Sequence, residues 1–184
     1  GGEDELVMGR LTYLTGGVRS GKSRRAVELA RRRGVRVLFI ATCVPGDDEM
    51  RRRVAAHRST RPAEWETVEE DRDVAGAIRA AAGRCDVAIV DCLTMFVSSR
   101  ILAGEPDETI EGRVRDFVAA AAGPGPDVIV VSNEVGSGVV PASELGRRFR
   151  DLAGAANQIV AGAAGEATLM VSGYPVELKR EVQP

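Results

Sequence analysis

A short run rich in β-formers, RLTYLT at residues 10–15, ends on the octapeptide GGVRSGKS and passes directly into a run of helix formers, SRRAVELARRR. Few backbones accommodate that succession. Gly16 and Gly21 frame a loop whose N–H groups can curl around an anion, and a helix beginning at the loop's end adds the partial positive charge of its N-terminus. Gly16, Gly17, Val18, Arg19, Ser20, Gly21, Lys22 and Ser23 fit G-x-x-x-x-G-K-[ST], in which the lysine reaches β- and γ-phosphate oxygens and the hydroxyl ligates Mg²⁺. A strand before the motif and a helix after it supply the context that the mechanism requires. Lys22 is thereby a candidate catalytic residue, and nucleoside triphosphates are the expected ligands.

The rest of the chain repeats the alternation. Strand-like runs at 35–42 (VRVLFIAT), 86–92 (DVAIVDC), 127–133 (DVIVVSN) and 167–172 (ATLMVS) are short, rich in β-branched residues and apolar on both faces. Strands of that kind are buried from two sides in parallel sheets. Helical patterns at 22–33, 47–59, 71–82, 92–103, 108–122 and 143–163 lie between them, so the fold class is α/β, a mainly parallel sheet with helices on both faces. Residues 10–184 read as a single nucleotide-binding catalytic domain, preceded by a ragged acidic segment at 1–9. An apolar content of 44% supplies a core for one domain.

Charge and cysteine use narrow the function classes. Twenty-seven acidic against twenty-five basic residues give a net charge of −2, so no general field favours nucleic acid or anionic lipid. No apolar run approaches the ~18 residues that a membrane span needs. Cys43, Cys85 and Cys92 are odd in number and lack CxxC spacing, which predicts buried thiols in a reducing cytoplasm rather than disulfides or zinc. The arginine runs 31–33 and 51–53 read as solvated helix faces.

A phosphate loop needs a carboxylate for its metal. Asp91, at the end of VAIVD, would be delivered to the sheet's carboxyl edge beside the loop, and it could equally cap the helix that follows. The only histidine, His57, falls at i+7 from Met50 on the same helical face as Val54, which suits a core histidine. Arg53, Arg58 and Arg61 around it suit phosphate oxygens instead. A neutral imidazole beside such a site can attack phosphorus without a base. NEVGSGVVP at 133–141 reads as a loop at the carboxyl end of the fourth run, with Asn133 and Glu134 of unassigned role. Trp65, Phe149 and Tyr174 could face a large ligand or pack in the core or at an interface.

Seven segments in register, TGGVRSGKS, FIAT, DDEM…RV..HR..RP..W, VDCLT, VSNEVGSGVVP, FRD.AG..NQ and VSG, resemble the bifunctional adenosylcobinamide kinase/adenosylcobinamide-phosphate guanylyltransferase family from about residue 10 to 174. The resemblance implies a RecA-like sheet, a homotrimer and two reactions. A nucleoside triphosphate, ATP or GTP, phosphorylates adenosylcobinamide, and GMP from GTP then passes to the adenosylcobinamide phosphate through a guanylylated histidine. That role falls on His57. By the same resemblance Ala41, Thr42 and Cys43 line the nucleotide, Arg58, Ser59, Thr60 and Arg61 follow the nucleophile, and Glu69 and Asp91 complete the nucleotide contacts. Ser23 and Asp91 would hold Mg²⁺. The family often carries glutamate where this chain has Asp91, one methylene longer, so the carboxylate would hold the metal differently. A plain small-molecule kinase with the same loop, or a nucleotide-binding regulatory switch, would need no histidine carrier.

Overall fold

The computed structural model describes residues 8–43, 48, 51, 52, 55 and 61–180. Among these residues seven strands form one sheet: β1 (Leu11–Gly16), β2 (Val37–Ala41), β3 (Glu66–Glu69), β4 (Val87–Asp91), β5 (Asp127–Val131), β6 (Glu166–Val171) and β7 (Tyr174–Arg180). Their order is β3-β2-β4-β5-β1-β6-β7. All pairings are parallel except β6 with β7. The central strands are buried on both faces because they are uninterrupted apolar runs, with Val87, Ala88, Ile89 and Val90 all at 0% exposure.

Alternation along those strands divides the core in two. Leu38, Ile40, Ala88, Val90, Val128 and Val130 face one layer, built from α2 (Val74–Ala80), α3 (Leu93–Leu102), α4 (Asp107–Ala122) and α5 (Glu144–Ala163). Phe39, Ala41, Val87, Ile89, Ile129 and Val131 face the other, where α1 (Lys22–Arg33) packs with Ala26 and Ala30, and Trp65 joins them. Asp73 caps α2 by accepting from the Gly76 N–H, and Ser143 caps α5 by accepting from the Gly146 N–H. Of the helical pattern at 47–59, Asp48, Arg51, Arg52 and Ala55 are helical and the remainder lies outside the described residues.

Four readings of the sequence need correction. The sheet has two further strands, β3 and β7, and β7 runs antiparallel. Both are edge strands with exposed or half-buried side chains, so neither carries the apolar signature of the centre. β6, expected to be buried on both faces, buries only Ala167 and Met170 and leaves Val171 48% exposed. Trp65 is buried, Phe149 packs against the larger cluster, and Tyr174 is 76% exposed on β7, as an interface or ligand-facing residue would be. Arg33 is not on a solvated face. Its guanidinium turns inward to Glu166 at 2.6 Å and the Thr12 hydroxyl at 2.7 Å, tying α1 to the base of β1 and β6.

Candidate active site

Parallel strands bring their carboxyl ends to one edge, and the candidate residues within the described part collect there. β1 runs into the loop 16–21 with Gly16 at φ 155°, Arg19 at φ 54° and Gly21 at φ 98°. A Cβ on Gly16 would stand 2.6 Å from both the Met170 carbonyl and Ser20 Oγ, so only glycine admits this close approach. Lys22, the first residue of α1, folds its ammonium back over the loop and donates to the Gly17 carbonyl at 2.5 Å and Ser20 Oγ at 3.4 Å. Burial lowers its pKa from the ordinary lysine value, an effect that nearby Cys92 and Asp91 oppose. Lys22 and Asp91 are therefore electrostatic neighbours across the edge.

Asp91 ends β4 half-buried, in register with Ala41 on β2 and Val131 on β5. Thr42 is bound to the same corner. Its N–H donates to the Asp91 carbonyl, its hydroxyl donates to the Cys92 carbonyl at 2.7 Å, and Oγ1 accepts from the Cys92 N–H at 2.8 Å. Burial pushes the Cys92 thiol up to about 11 and also raises that of half-buried Cys43, with Asp91 adding to both, so these thiols stay protonated near neutrality. Glu69 lies exposed at the end of β3, paired with Ala41. The guanidinium of Arg61 lies 3.4 Å from the centroid of the Phe39 ring, a cation–π contact that holds this arginine beside β2. Thus Gly16 to Ser23, Ala41, Thr42, Cys43, Glu69 and Asp91 stand along one edge, while Arg61 packs on the ring of Phe39 within β2. His57, Arg58, Ser59 and Thr60 lie outside the described residues.

The site has a polar floor that sequence reasoning did not assign. Glu134, just after β5, donates its N–H to the Gly16 carbonyl and accepts at Oε1 from the Thr15 hydroxyl at 2.7 Å and from Tyr13 at 3.5 Å. Burial raises the Tyr13 phenol above its ordinary value, so it remains a donor. Ser132 donates to Asn157 Oδ1 at 2.5 Å, Asn157 donates to the Asn133 carbonyl at 3.2 Å, and Asn133 donates to Thr94 at 2.7 Å. One signal was visible beforehand: Asn157 falls on the apolar stripe Leu152, Ala153, Ala156 and Val160 of α5, where a polar residue implies a buried partner. A second overlooked contact comes from the turn between β6 and β7. Ser172 and Gly173 both take positive φ, 51° and 88°, and the Gly173 N–H donates to the Ser20 carbonyl at 2.9 Å. The VSG segment thereby buttresses the loop.

The donor set fits a magnesium ion shared with phosphates. Among the described residues no three histidine, cysteine or acidic side chains form a metal cage. Mg²⁺ in such sites is held by one or two protein oxygens together with substrate phosphates, which is what Ser23 and Asp91 offer. No helix among the described residues is long and apolar enough to cross a membrane.

Comparison with known proteins agrees with this geometry. Residues 12–178 match the family model described as cobinamide kinase / cobinamide phosphate guanyltransferase. The chain is 44% identical over 171 residues to the bifunctional adenosylcobalamin biosynthesis protein CobP of Pseudomonas aeruginosa, covering 91% of this chain and 96% of that protein. It is 39% identical over 181 residues to CobU of Escherichia coli and, equally, to CobU of Salmonella typhimurium, covering 92% of this chain and 99% of each. With its phosphate loop in place and residues 12–178 matched, this chain belongs to the cobinamide kinase / cobinamide phosphate guanyltransferase family.

Proposed function

We propose that this protein catalyses both reactions of its family on adenosylcobinamide, with His57 as the guanylyl carrier. In the first, the acceptor hydroxyl oxygen attacks the γ-phosphorus of ATP or GTP. The bond to the β–γ bridging oxygen breaks, and a nucleoside diphosphate leaves. In the second, an imidazole nitrogen of His57 attacks the α-phosphorus of GTP and releases pyrophosphate. An oxygen of the adenosylcobinamide phosphate then displaces the imidazole, giving adenosylcobinamide-GDP. The carrier splits a displacement between two anions into two easier steps.

The observation that carries this reading is the phosphate loop, folded with Lys22 turned into it and Asp91 opposite, within a chain matched to the family from residue 12 to 178. The glycine-framed loop offers N–H groups to phosphate oxygens, and Lys22 exchanges its internal acceptors for those oxygens. Ser23 and Asp91 would hold Mg²⁺, which supplies charge neutralisation at the β- and γ-phosphates. Ala41, Thr42 and Cys43 line the nucleotide, Arg58 to Arg61 flank the carrier, and Glu69 accepts from the N1–H and N2–H₂ donors of guanine. The nucleotide substrates and the free cysteines Cys43, Cys85 and Cys92 suit a cytoplasmic enzyme. A homotrimer would cover the outer edge of the sheet, where Tyr174, Val176 and Leu178 expose 76%, 45% and 56% of their surface on alternate positions of β7.

The test is a product assay with adenosylcobinamide, Mg²⁺ and either triphosphate. GTP alone should yield adenosylcobinamide-GDP through the phosphate, and ATP alone should stop at the phosphate if it serves as donor. Absence of both products with either nucleotide refutes the reading.

A further inference from the structure

The two half-reactions differ in one chemical need. The acceptor of the first is an alcohol, whose proton must leave as its oxygen attacks phosphorus. The acceptor of the second is already an ionised phosphate. A base is therefore required beside the phosphate loop for the first step alone.

Sheet order decides which carboxylate can be that base. Strands stand about 4.8 Å apart, so β3 with Glu69 lies four strands, or ~19 Å, from β1, and β4 with Asp91 lies two strands, or ~10 Å, away. Only β5 and β6 neighbour β1. β6 ends on Met170 and Val171, which carry no acid, whereas β5 is followed by Glu134. Among the described residues Glu134 is thus the one carboxylate that follows a strand adjacent to the phosphate loop, and its N–H is bonded to the loop's first carbonyl, that of Gly16.

We propose that Glu134 is the general base of the phosphorylation step, taking the proton from the acceptor hydroxyl as that oxygen bonds to the γ-phosphorus and the nucleoside diphosphate departs. The side chain is oriented for this. Thr15 and Tyr13, both almost fully buried, donate to Oε1 and fix the carboxylate on the edge of the site. Oε2 makes no hydrogen bond among the described residues, and the residue as a whole is exposed to solvent. An oriented oxygen with one accessible lone-pair face is what proton abstraction requires. The identity of the acceptor as an alcohol rests on the function proposed above.

The experiment measures the two half-reactions separately in E134Q, E134D and E134A, together with nucleotide affinity. In E134Q the rate of adenosylcobinamide phosphorylation should fall ~100-fold or more, and the ratio of that rate to GMP transfer onto preformed adenosylcobinamide phosphate should fall by a similar factor. Nucleotide Kd should change less than ~3-fold, and added formate should restore part of the phosphorylation rate of E134A. If Glu134 only tethers the loop, both half-reactions fall together, Kd rises and formate does nothing; that result overturns the proposal. If E134Q melts below the assay temperature, E134D carries the same comparison, with a selective loss of phosphorylation supporting the role and an equal loss in both steps refuting it. Inactivity of the wild-type protein toward adenosylcobinamide would overturn the proposed function and this role with it, whereas an active wild type matched by an equally active E134Q would overturn the role of Glu134 alone.

Discussion

Replacing Asn157 by alanine tests whether the polar floor beneath the site holds the carboxyl edge together. Asn157 is 9% exposed and serves two groups that water cannot readily reach: the hydroxyl of Ser132, itself at 0% exposure, and the carbonyl of Asn133. Truncation leaves a donor and an acceptor without partners. Each such group costs roughly 1–3 kcal/mol, and partial relaxation of the hydroxyl brings the expected total to about 2–4 kcal/mol. For a chain of this length that corresponds to a fall in Tm of about 4–16 °C, at ~2–4 °C per kcal/mol. The assay is a thermal or urea melt of N157A, S132A and the double variant. Because the Ser132 bond is lost in either single variant, the double variant should be less destabilised than the sum by about 1 kcal/mol or more. A loss below ~0.5 kcal/mol in N157A, with additive effects in the double variant, would refute the reasoning that these groups depend on one another.

Two further outcomes follow from other parts of the molecule. Asp86 accepts from the Arg36 guanidinium at 2.7 Å and from the N–H groups of Val35 and Arg36 near 3 Å, and these bonds hold its carboxyl at about 2. That lies below the ordinary aspartate value near ~3.9, so its stabilising contribution is complete above about pH 4 and is lost as pH falls through about 2. Acid titration of stability should be less steep for D86N than for wild type over this window, and superimposable acid limbs would contradict it. Lys22→Ala should abolish nucleotide-dependent phosphorylation while leaving the far-UV circular dichroism unchanged, because the ammonium serves the loop and phosphate rather than the core. Normal phosphorylation by that variant refutes the loop assignment.

The centre of this fold was legible because its signal is local. Four of the strands are apolar runs that betray burial on two faces, and the helices between them carry their own periodicity, whereas β6 looks the same in sequence but buries only Ala167 and Met170 beside the exposed edge strand. ETVE at 66–69 became a strand only because Leu38 to Ala41 lies beside it, and its charged ends face solvent as an edge strand's do. YPVELKR at 174–180 hid its alternation behind a proline and three charges. At the site, the loop with Lys22 and the strand ending in Asp91 were readable from spacing. The pairing of Glu134 with Thr15 and of Ser132 with Asn157 was not, since these partners lie 119 and 25 residues apart in sequence and meet only when the sheet assembles. Arg33 was misread for the same reason, its partner Glu166 being 133 residues distant.

The central claim is that one histidine carries GMP between two anions on this phosphate-loop scaffold. Incubation with GTP labelled at the α-phosphate, Mg²⁺ and no corrinoid should yield a protein–GMP adduct that is acid-labile and base-stable, as a phosphoramidate is, and peptide mapping should place it on His57. His57→Asn should lose the adduct and GMP transfer while continuing to phosphorylate adenosylcobinamide, with a melting temperature near that of the wild type. An adduct that persists in His57→Asn, or GMP transfer by wild type with no adduct on His57, would contradict the account.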